Sequence, residues 1–255
     1  MNADPAACAA RLEDAQRRGA PIAPTADDEA MDITFGYAVQ RQRLLLRSAS
    51  GDEPVGFKVG LTSAAGRASF STDEPVGGFL SAATVSTEGD VTLAGLIAPA
   101  LEVEVAFVLG ADLDGHVSAR DVLDATAELA IAFEIIDSRW DGGARTAAML
   151  VADNSYAARA VLGPRFAPGD VDLAQLAVTA TVADTRLDGH AANVLGDPAR
   201  ALAWLAGHLA ARGEGLSAGD IVLSGTLTAP APLRPGDQAV ADFGTLGQLK
   251  AHFHG

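Results

Sequence analysis

The stretch that most constrains the fold is LEVEVAFVLG, residues 101–110, an apolar run that contains two glutamates. Because side chains alternate between the two faces of a β-strand, one face of this run is wholly apolar and the other begins with Glu102 and Glu104. Side chains two residues apart on a strand point the same way and lie about 7 Å apart. The run therefore predicts a half-buried strand that presents two carboxylates side by side.

A third glutamate occupies the next strand-like run, IAFEIID, where apolar residues surround Glu134. An isolated glutamate in an apolar strand is costly unless it is paired or bound to a metal ion. Oxygen ligands suit Mg²⁺ or Mn²⁺, so Glu102, Glu104 and Glu134 are candidate ligands of one cation. The alternative is a solvated outer face, because the sequence alone does not show that the two strands are neighbours.

The composition limits the class of protein and its partners. A chain of 255 residues with 49% hydrophobic and 20% charged residues predicts a globular protein with a sizeable core. The formal net charge of -15 argues against a nucleic-acid or anionic-membrane partner. It leaves room for a small anionic substrate, because a metal ion or one lysine can reverse the local field.

The N-terminal region and the cysteine content predict a cytoplasmic location. Cys8 is the single cysteine, so neither an internal disulfide nor a zinc site built on several cysteines is expected. The first residues show no basic segment followed by an apolar one, and no apolar run approaches the length of a membrane span.

The order of predicted elements favours an α+β domain on a mixed or antiparallel sheet. Helices are predicted at residues 4–18 and 27–48, in a third segment that Ser118 caps and that includes Ala127 and Leu129, and in a fourth that opens at Asp197 and stops at Gly213. Strand-like runs bounded by glycine, aspartate and proline are VGFKVGLTS, TVSTEGDVTLAG, LEVEVAFVLG, IAFEIIDSRW, AVTATVADTRLDG, DIVLSGT and QAVADFGTLGQLKAHF. No glycine-rich phosphate-binding motif supports nucleotide binding.

Lys58 is the candidate acid/base, because it lies between Phe57 and Val59 in GFKVGLTS. A lysine in apolar surroundings can have a lowered pKa and carry protons, or it can be a plain counter-ion; the commoner alternative is a surface lysine. Thr62 and Ser63 follow in a predicted loop, where binding residues are frequent.

Two further segments supply candidate substrate contacts. Asp153 and Asn154 are polar residues near the start of VADNSYAARAVLG, and Asp153 is a candidate substrate contact. The alternative is that these residues cap a helix. Gly225 and Thr226 end the strand in LSGTLT, where the backbone can approach a ligand and the hydroxyl can hold a carboxylate; a simple strand-to-turn transition is the alternative. We expect no role for the histidines, which are His116, His190, His208, His252 and His254.

Taken in order, these motifs resemble the 2-keto-4-pentenoate hydratase family, which includes 4-oxalocrotonate decarboxylases and is related to fumarylacetoacetate hydrolases. The resemblance covers about residue 30 to the C-terminus and rests on GFKVGLTS, DEPVGGFL, APALEVEVAFVLG, AFEIIDSRW, VADNS, VLSGTLT and RPGDQAVADFGTLG.

The resemblance implies an Mg²⁺ or Mn²⁺ site on Glu102, Glu104 and Glu134, an active-site lysine at Lys58, and a substrate-carboxylate site along Gly225–Thr226. It also implies a rolled mixed β-sheet with flanking helices and a homo-oligomer. We therefore expect an N-terminal helical part, 1–53, and a catalytic mixed-sheet domain, 54–255.

The expected activity is hydration of a 2-hydroxydienoate of the 2-hydroxypenta-2,4-dienoate type in the catabolism of aromatic ring-cleavage products. Decarboxylation of a 4-oxalocrotonate-type substrate is the alternative, and a non-catalytic binding subunit is a further one. Association with a neighbouring pathway enzyme is also expected to be possible. The sequence departs from similar ones at Val76, Gly77 and Tyr156, where an acid, an aromatic and a small residue are common. These changes bear on the distal end of the substrate pocket.

Overall fold

The computed structural model describes residues 4–255, which contain seven α-helices and thirteen β-strands. The helices are α1 (Pro5–Arg18), α2 (Ala26–Glu29), α3 (Ile33–Ala49), α4 (Ala64–Ser69), α5 (Ala119–Ala125), α6 (Ala147–Ala152) and α7 (Pro198–Ala210). The strands are β1 (Pro54–Gly60), β2 (Val76–Ser81), β3 (Val85–Ser86), β4 (Asp90–Thr92), β5 (Ala100–Leu109), β6 (Thr126–Ile136), β7 (Ala157–Phe166), β8 (Ala177–Val182), β9 (Thr185–His190), β10 (Ile221–Leu223), β11 (Ala231–Pro232), β12 (Gln238–Asp242) and β13 (Gln248–His254).

The strands form two sheets. The larger has the order β2-β1-β10-β5-β6-β7-β3, with β11 paired to the start of β5. It is mixed, because β1 pairs with β10 in parallel and β5 pairs with β6 antiparallel. The smaller sheet has the order β4-β13-β12-β8-β9. The expectation of an α+β chain with a rolled mixed sheet is confirmed.

The main core lies on the apolar face of β5 and β6. Leu101, Val103, Val105 and Phe107 are fully buried there and pack in one cluster with residues of the smaller sheet and of α7. Burying each such side chain contributes about 1.5–3 kcal/mol to the free energy of folding. The opposite face of β5 continues from its glutamates to Ala106, in a small alanine-rich cluster. The alternation read from residues 101–110 therefore separates the core from a second, closely packed face.

The N-terminal helices differ from the prediction at one point. A single helix over residues 27–48 is wrong, because the chain forms the short α2 and then starts again at α3. Thr25 caps α2 in a capping box with Asp28, and the Asp32 side chain caps α3 by accepting the Phe35 N–H. Two caps seven residues apart give the backbone two helix starts, and both are used.

One other boundary differs from the prediction. The helix that Ser118 caps ends at Ala125, and Ala127 and Leu129, predicted in that helix, lie in β6. The DEPVGGFL segment enters β2 at Val76. The helix from Asp197 is confirmed, with the Asp197 side chain accepting the Ala199 N–H. In residues 4–255, no helix combines the length and apolar character that crossing a membrane requires.

Candidate metal centre and its cavity

The sheet register brings the three predicted glutamates together. Glu102 and Glu134 are directly opposite each other in the β5–β6 pair, and Glu104 lies two residues further along the same face of β5. One carboxylate oxygen from each of the three lies within 4.8 Å of the others. Glu104 and Glu134 are fully buried, and Glu102 is half-buried. This arrangement favours a shared cation over a solvated face.

The unused oxygens of these glutamates fit a metal ion. Within residues 4–255, Glu104 Oε1 and Glu134 Oε1 are buried without a partner, and Glu134 Oε2 accepts no hydrogen bond but forms an ion pair with the Lys58 ammonium at 3.2 Å. A buried carboxylate oxygen without a partner carries a large desolvation cost, which a divalent cation removes. Three carboxylates supply the hard oxygen donors that Mg²⁺ and Mn²⁺ prefer. The residues present therefore fit such a cation.

The pKa directions agree with a site that attracts positive charge. Burial raises the pKa of Glu102 to about 7, against the lowering effect of Lys58 and with a further rise from Glu134. The pKa of Glu104 is raised well above its ordinary value, mainly by burial and then by the charges of Glu134 and Glu102. Burial also raises the pKa of Glu134. Without a cation, proton uptake must relieve the repulsion among these carboxylates.

Lys58 reaches the same cluster from β1. Its Nζ lies 3.2 Å from Glu134 Oε2 and donates a hydrogen bond to the Ser155 carbonyl at 3.1 Å. Burial lowers the pKa of Lys58, but the charges of Glu134, Glu102 and Glu104 outweigh burial, and the net pKa is raised. The surface-lysine alternative is wrong because the side chain is buried. The Lys58 ammonium is a counter-ion of these glutamates, which is the second alternative that the sequence left open for it.

The strand end at Gly225 lies against the cluster. Its backbone N–H donates to Glu104 Oε2 at 2.8 Å, which fixes that carboxylate. Gly225 has φ +110°, and a Cβ there would lie 2.5 Å from Thr62 Oγ1, so only glycine allows this approach. Thr226 uses its hydroxyl locally, donating to the Thr228 carbonyl at 2.8 Å. These contacts place the Gly225 backbone against both Glu104 and Thr62.

A cavity of about 260 Å³ opens next to the cluster. Lys58, Thr62, Glu102 and Thr226 line one part of it. Apolar side chains form much of the remaining wall, namely Leu61, Phe70, Ile136, Leu150, Tyr156 and Pro230. A small cavity beside a cation site, lined by both apolar and polar side chains, suits a small anionic ligand.

Asp153 is not in this cavity, although it was predicted to contact substrate. Its side chain is fully buried between two arginines, accepting from Arg43 Nη1 at 3.0 Å and from the Arg139 side chain. Asp153 ends α6, and its side chain makes no cap hydrogen bond to the short 3₁₀ turn over Asn154–Tyr156 that follows. The side chain of Asp153 therefore has no oxygen free for a substrate.

Other predicted positions fall as follows. All five histidines of the chain lie outside the cavity lining, and His208 instead stacks on Trp204. Of the departures from similar sequences, Tyr156 lines the cavity and Val76 packs against the same apolar cluster as Leu150. Sequence reasoning missed Ser155, whose backbone carbonyl holds Lys58. A backbone acceptor leaves no mark in residue identity, so only the fold reveals it.

Fold and site together define a mixed-sheet protein with a buried three-carboxylate cation site beside a small cavity. The family model described as fumarylacetoacetate (FAA) hydrolase C-terminal matches residues 58–254. The chain belongs to this family.

Curated relatives match nearly the whole chain. A 2-keto-4-pentenoate hydratase of Burkholderia vietnamiensis (strain G4 / LMG 22486) is 38% identical, with 97% of each chain covered. A 4-oxalocrotonate decarboxylase of Pseudomonas sp. (strain CF600) is 35% identical, covering 90% of this chain and 89% of that one. Among solved structures, the 4-oxalocrotonate decarboxylase from Pseudomonas putida G7, complexed with magnesium and adipate, has a TM-score of 0.93 at 32% identity, covering 98% of this chain and 97% of that one.

Proposed function

We propose that this chain is a divalent-metal-dependent lyase that adds water to a 2-hydroxydienoate through its 2-oxo-3-enoate form. The observation that carries the proposal is the convergence of Glu102, Glu104 and Glu134 beside a cavity that Lys58 also lines. Support comes from the relative named 2-keto-4-pentenoate hydratase and from the magnesium in the structure with a TM-score of 0.93.

Glu102, Glu104 and Glu134 are the residues that would hold Mg²⁺ or Mn²⁺. The bound cation supplies Lewis-acid stabilisation of negative charge on the carboxylate and 2-oxo oxygens of a 2-oxo acid. Gly225 keeps Glu104 oriented by its N–H bond, and Lys58 balances the charge of Glu134. We propose that Thr62 and the Gly225–Thr226 segment line the end of the cavity that takes the substrate carboxylate.

Hydration of the dienoate requires proton transfers, and Lys58 is the proposed proton donor and acceptor. In 2-hydroxypenta-2,4-dienoate the 2-hydroxyl loses a proton and C5 gains one, which gives 2-oxopent-3-enoate. Water then adds across C3 and C4, with hydroxide at C4 and a proton at C3, to give 4-hydroxy-2-oxopentanoate. An ammonium has three N–H donors. Lys58 Nζ contacts the Ser155 carbonyl and Glu134, and Lys58 also lines the cavity, so one donor is left for substrate.

Decarboxylation is the second candidate, favoured by the 0.93 TM-score to a 4-oxalocrotonate decarboxylase. Loss of CO₂ from a 2-oxo-3-enedioate leaves an electron pair that the 2-oxo group takes up as an enolate. Both reactions therefore need stabilisation of charge at the same 2-oxo oxygen. They differ in whether the substrate carries a second carboxylate and in whether water is consumed.

An absorbance assay with Mg²⁺ separates the two activities. The purified chain is given the dienoate and, separately, the enedioate, and CO₂ is measured in parallel. Loss of the dienoate absorbance without CO₂ supports hydration, and CO₂ release from the enedioate supports decarboxylation. Glu104→Gln serves as the control that should lack either activity. Absence of turnover with both substrates at saturating Mg²⁺ contradicts the proposed lyase function.

We further propose a cytoplasmic homo-oligomer with a helical part over 1–53, of which 1–3 lie outside the described residues, and a catalytic domain over 54–255. Association with a neighbouring pathway enzyme is part of the same proposal. The resemblance of the motifs supports the oligomer. A sedimentation mass equal to that of the 25.9 kDa chain at micromolar concentration contradicts it.

A further inference from the structure

The turn between α6 and β7 has an unusual backbone. Asn154, Ser155 and Tyr156 have φ values of +54°, +50° and +64°, so three consecutive residues with side chains are left-handed. Residues other than glycine seldom adopt this region, and such strain persists only where the surrounding structure enforces it. Something must therefore hold this turn in place.

One restraint is a clamp onto β2. The Asn154 side chain accepts the Phe79 N–H at 2.8 Å and donates to the Phe79 carbonyl at 2.9 Å. The Ser155 hydroxyl donates to the Gly77 carbonyl at 3.0 Å. Strand β2 pairs with β1, where Gly78 lies directly opposite Lys58. The turn is thus bonded to the strand beside the one that carries the lysine.

The second restraint is the buried ion cluster behind the turn. Asp153 accepts from Arg43 Nη1 at 3.0 Å, from the Arg139 backbone N–H at 2.8 Å and from the Arg139 side chain. Arg139 also donates to the Asp153 backbone carbonyl. All three side chains are fully buried, and removing one partner from a buried pair leaves an uncompensated charge. The residue that leads into the turn is therefore fixed in both side chain and backbone.

On its other side the turn presents the Ser155 carbonyl to Lys58. The Nζ–O distance is 3.1 Å, and the lysine is nearly completely buried. This bond and the ion pair with Glu134 hold the ammonium group, and Lys58 also lines the cavity, so one N–H is left for a ligand there.

We propose that Asp153 is a positioning residue: through Arg43 and Arg139 it holds the left-handed turn so that the Ser155 carbonyl aims the Lys58 ammonium into the cavity. The consequence for catalysis rests on the proposed function, whereas the placement of Lys58 does not. Asp153 thus acts on substrate through Lys58 and not by contact.

Steady-state kinetics test the catalytic consequence. Asp153→Asn keeps the shape and removes the charge, and a misplacement of the reacting group by about 1 Å can cost about 10²-fold in rate. We expect kcat to fall by about 10–100-fold with KM little changed, and Mg²⁺ affinity by calorimetry to stay at the wild-type value. Asn154→Gly is the second variant, because glycine suits the positive φ while the clamp on Phe79 is lost.

A control is available at a second buried aspartate that pairs with an arginine, although this arginine, Arg11, is partly exposed. Asp28 is buried and accepts two hydrogen bonds from Arg11, but it belongs to the N-terminal helices and not to the turn. Asp28→Asn should lower the melting temperature while kcat, measured well below that temperature, stays unchanged. A merely structural role for Asp153 predicts the same pattern for Asp153→Asn.

A spectroscopic readout tests the placement without turnover. The sequence holds two lysines, Lys58 and the exposed Lys250, so ¹⁵N-lysine labelling gives two side-chain signals that Lys250→Arg assigns. A buried, hydrogen-bonded ammonium exchanges its protons slowly, and we expect a sharp Lys58 signal in the wild type and in Asp28→Asn with Mg²⁺ present. Asp153→Asn and Asn154→Gly should broaden or lose it.

The outcomes are decisive as follows. Retention of the wild-type kcat or of the sharp Lys58 signal in Asp153→Asn overturns the proposal, because Asp153 then does not position the lysine. If Asp153→Asn does not fold, retention of either in Asn154→Gly overturns it, because the turn then does not aim the lysine. An equal loss of kcat in Asp28→Asn also overturns it, because the effect is then general. If the wild type turns over neither substrate, the proposed function fails, and the lysine signal alone decides the positioning role.

Discussion

Replacing Glu104 with glutamine should change the stability of the chain in opposite directions with and without Mg²⁺. Glutamine keeps the shape, and its carbonyl can still accept the Gly225 N–H that Glu104 accepts at 2.8 Å. Its amide can donate to the neighbouring glutamates, whose oxygens lie within 4.8 Å. The substitution therefore removes one negative charge from the three glutamates and leaves a side chain of the same shape in place.

The magnitude follows from the charge spacing. Two unit charges 4.8 Å apart repel by about 3.5 kcal/mol at an effective dielectric constant of about 20. Because the raised pKa of Glu104 means that proton uptake already relieves part of this repulsion, the expected gain is smaller, about 1–2 kcal/mol. For a chain of this size that is a rise of roughly 2–8 °C in the melting temperature of the metal-free protein.

Mg²⁺ should act in the opposite sense. At a concentration of 100 times its Kd, a ligand stabilises the native state by about 2.7 kcal/mol, or roughly 5–11 °C here. The wild type should show this rise, and Glu104→Gln should show little of it because one of its three carboxylates is gone. Scanning calorimetry at neutral pH with and without Mg²⁺ measures both effects.

The control is Glu128→Gln on the neighbouring strand β6, since Glu128 is partly exposed and pairs with Arg165 at the surface. It should respond to Mg²⁺ as the wild type does. A lower melting temperature for metal-free Glu104→Gln, or a full Mg²⁺ response in that variant, would refute the assignment of Glu104 to a cation site.

Three further outcomes are expected. If Lys58 transfers a proton, Lys58→Ala should lower kcat by about 10²–10⁴-fold, and Lys58→Arg should restore little of it. If Lys58 only binds the substrate carboxylate, Lys58→Ala should raise KM with kcat little changed, and Lys58→Arg should restore KM. Steady-state kinetics on both variants decide, and wild-type values in Lys58→Ala exclude both roles. Gly225→Ala should lose Mg²⁺ binding in calorimetry, because its Cβ would lie 2.5 Å from Thr62 Oγ1, and unchanged affinity contradicts this. Burial, with a smaller effect of Arg212, lowers the pKa of His208 to about 4, so the stability that its neutral form contributes is complete above pH 6.5 and is lost as pH falls through 4; melting temperatures of the wild type should drop more than those of His208→Gln across that window, and parallel curves count against it.

Local patterns settled the features that depend on neighbours in the chain. Strand periodicity placed Glu102 and Glu104 on one face of β5, and the helix that Asp197 caps follows from its cap and its proline. These predictions succeed because a strand face and a helix start are set by a few adjacent residues. The prediction of one helix over 27–48 was wrong because this part of the chain contains two helix caps, Thr25 and Asp32, and the prediction allowed for one.

Only the tertiary structure decided which distant residues meet. The β5–β6 register sets Glu134 opposite Glu102, and a shift of one residue would have turned that carboxylate to the other face. Asp153 pairs with Arg43 and Arg139 instead of contacting a substrate. The packing of α3 against α6 brings Arg43 to it. The raised pKa of Lys58 likewise depends on glutamates from other strands. The electrostatic field at a buried site sums over all nearby charges, and distance along the sequence does not tell which charges are near.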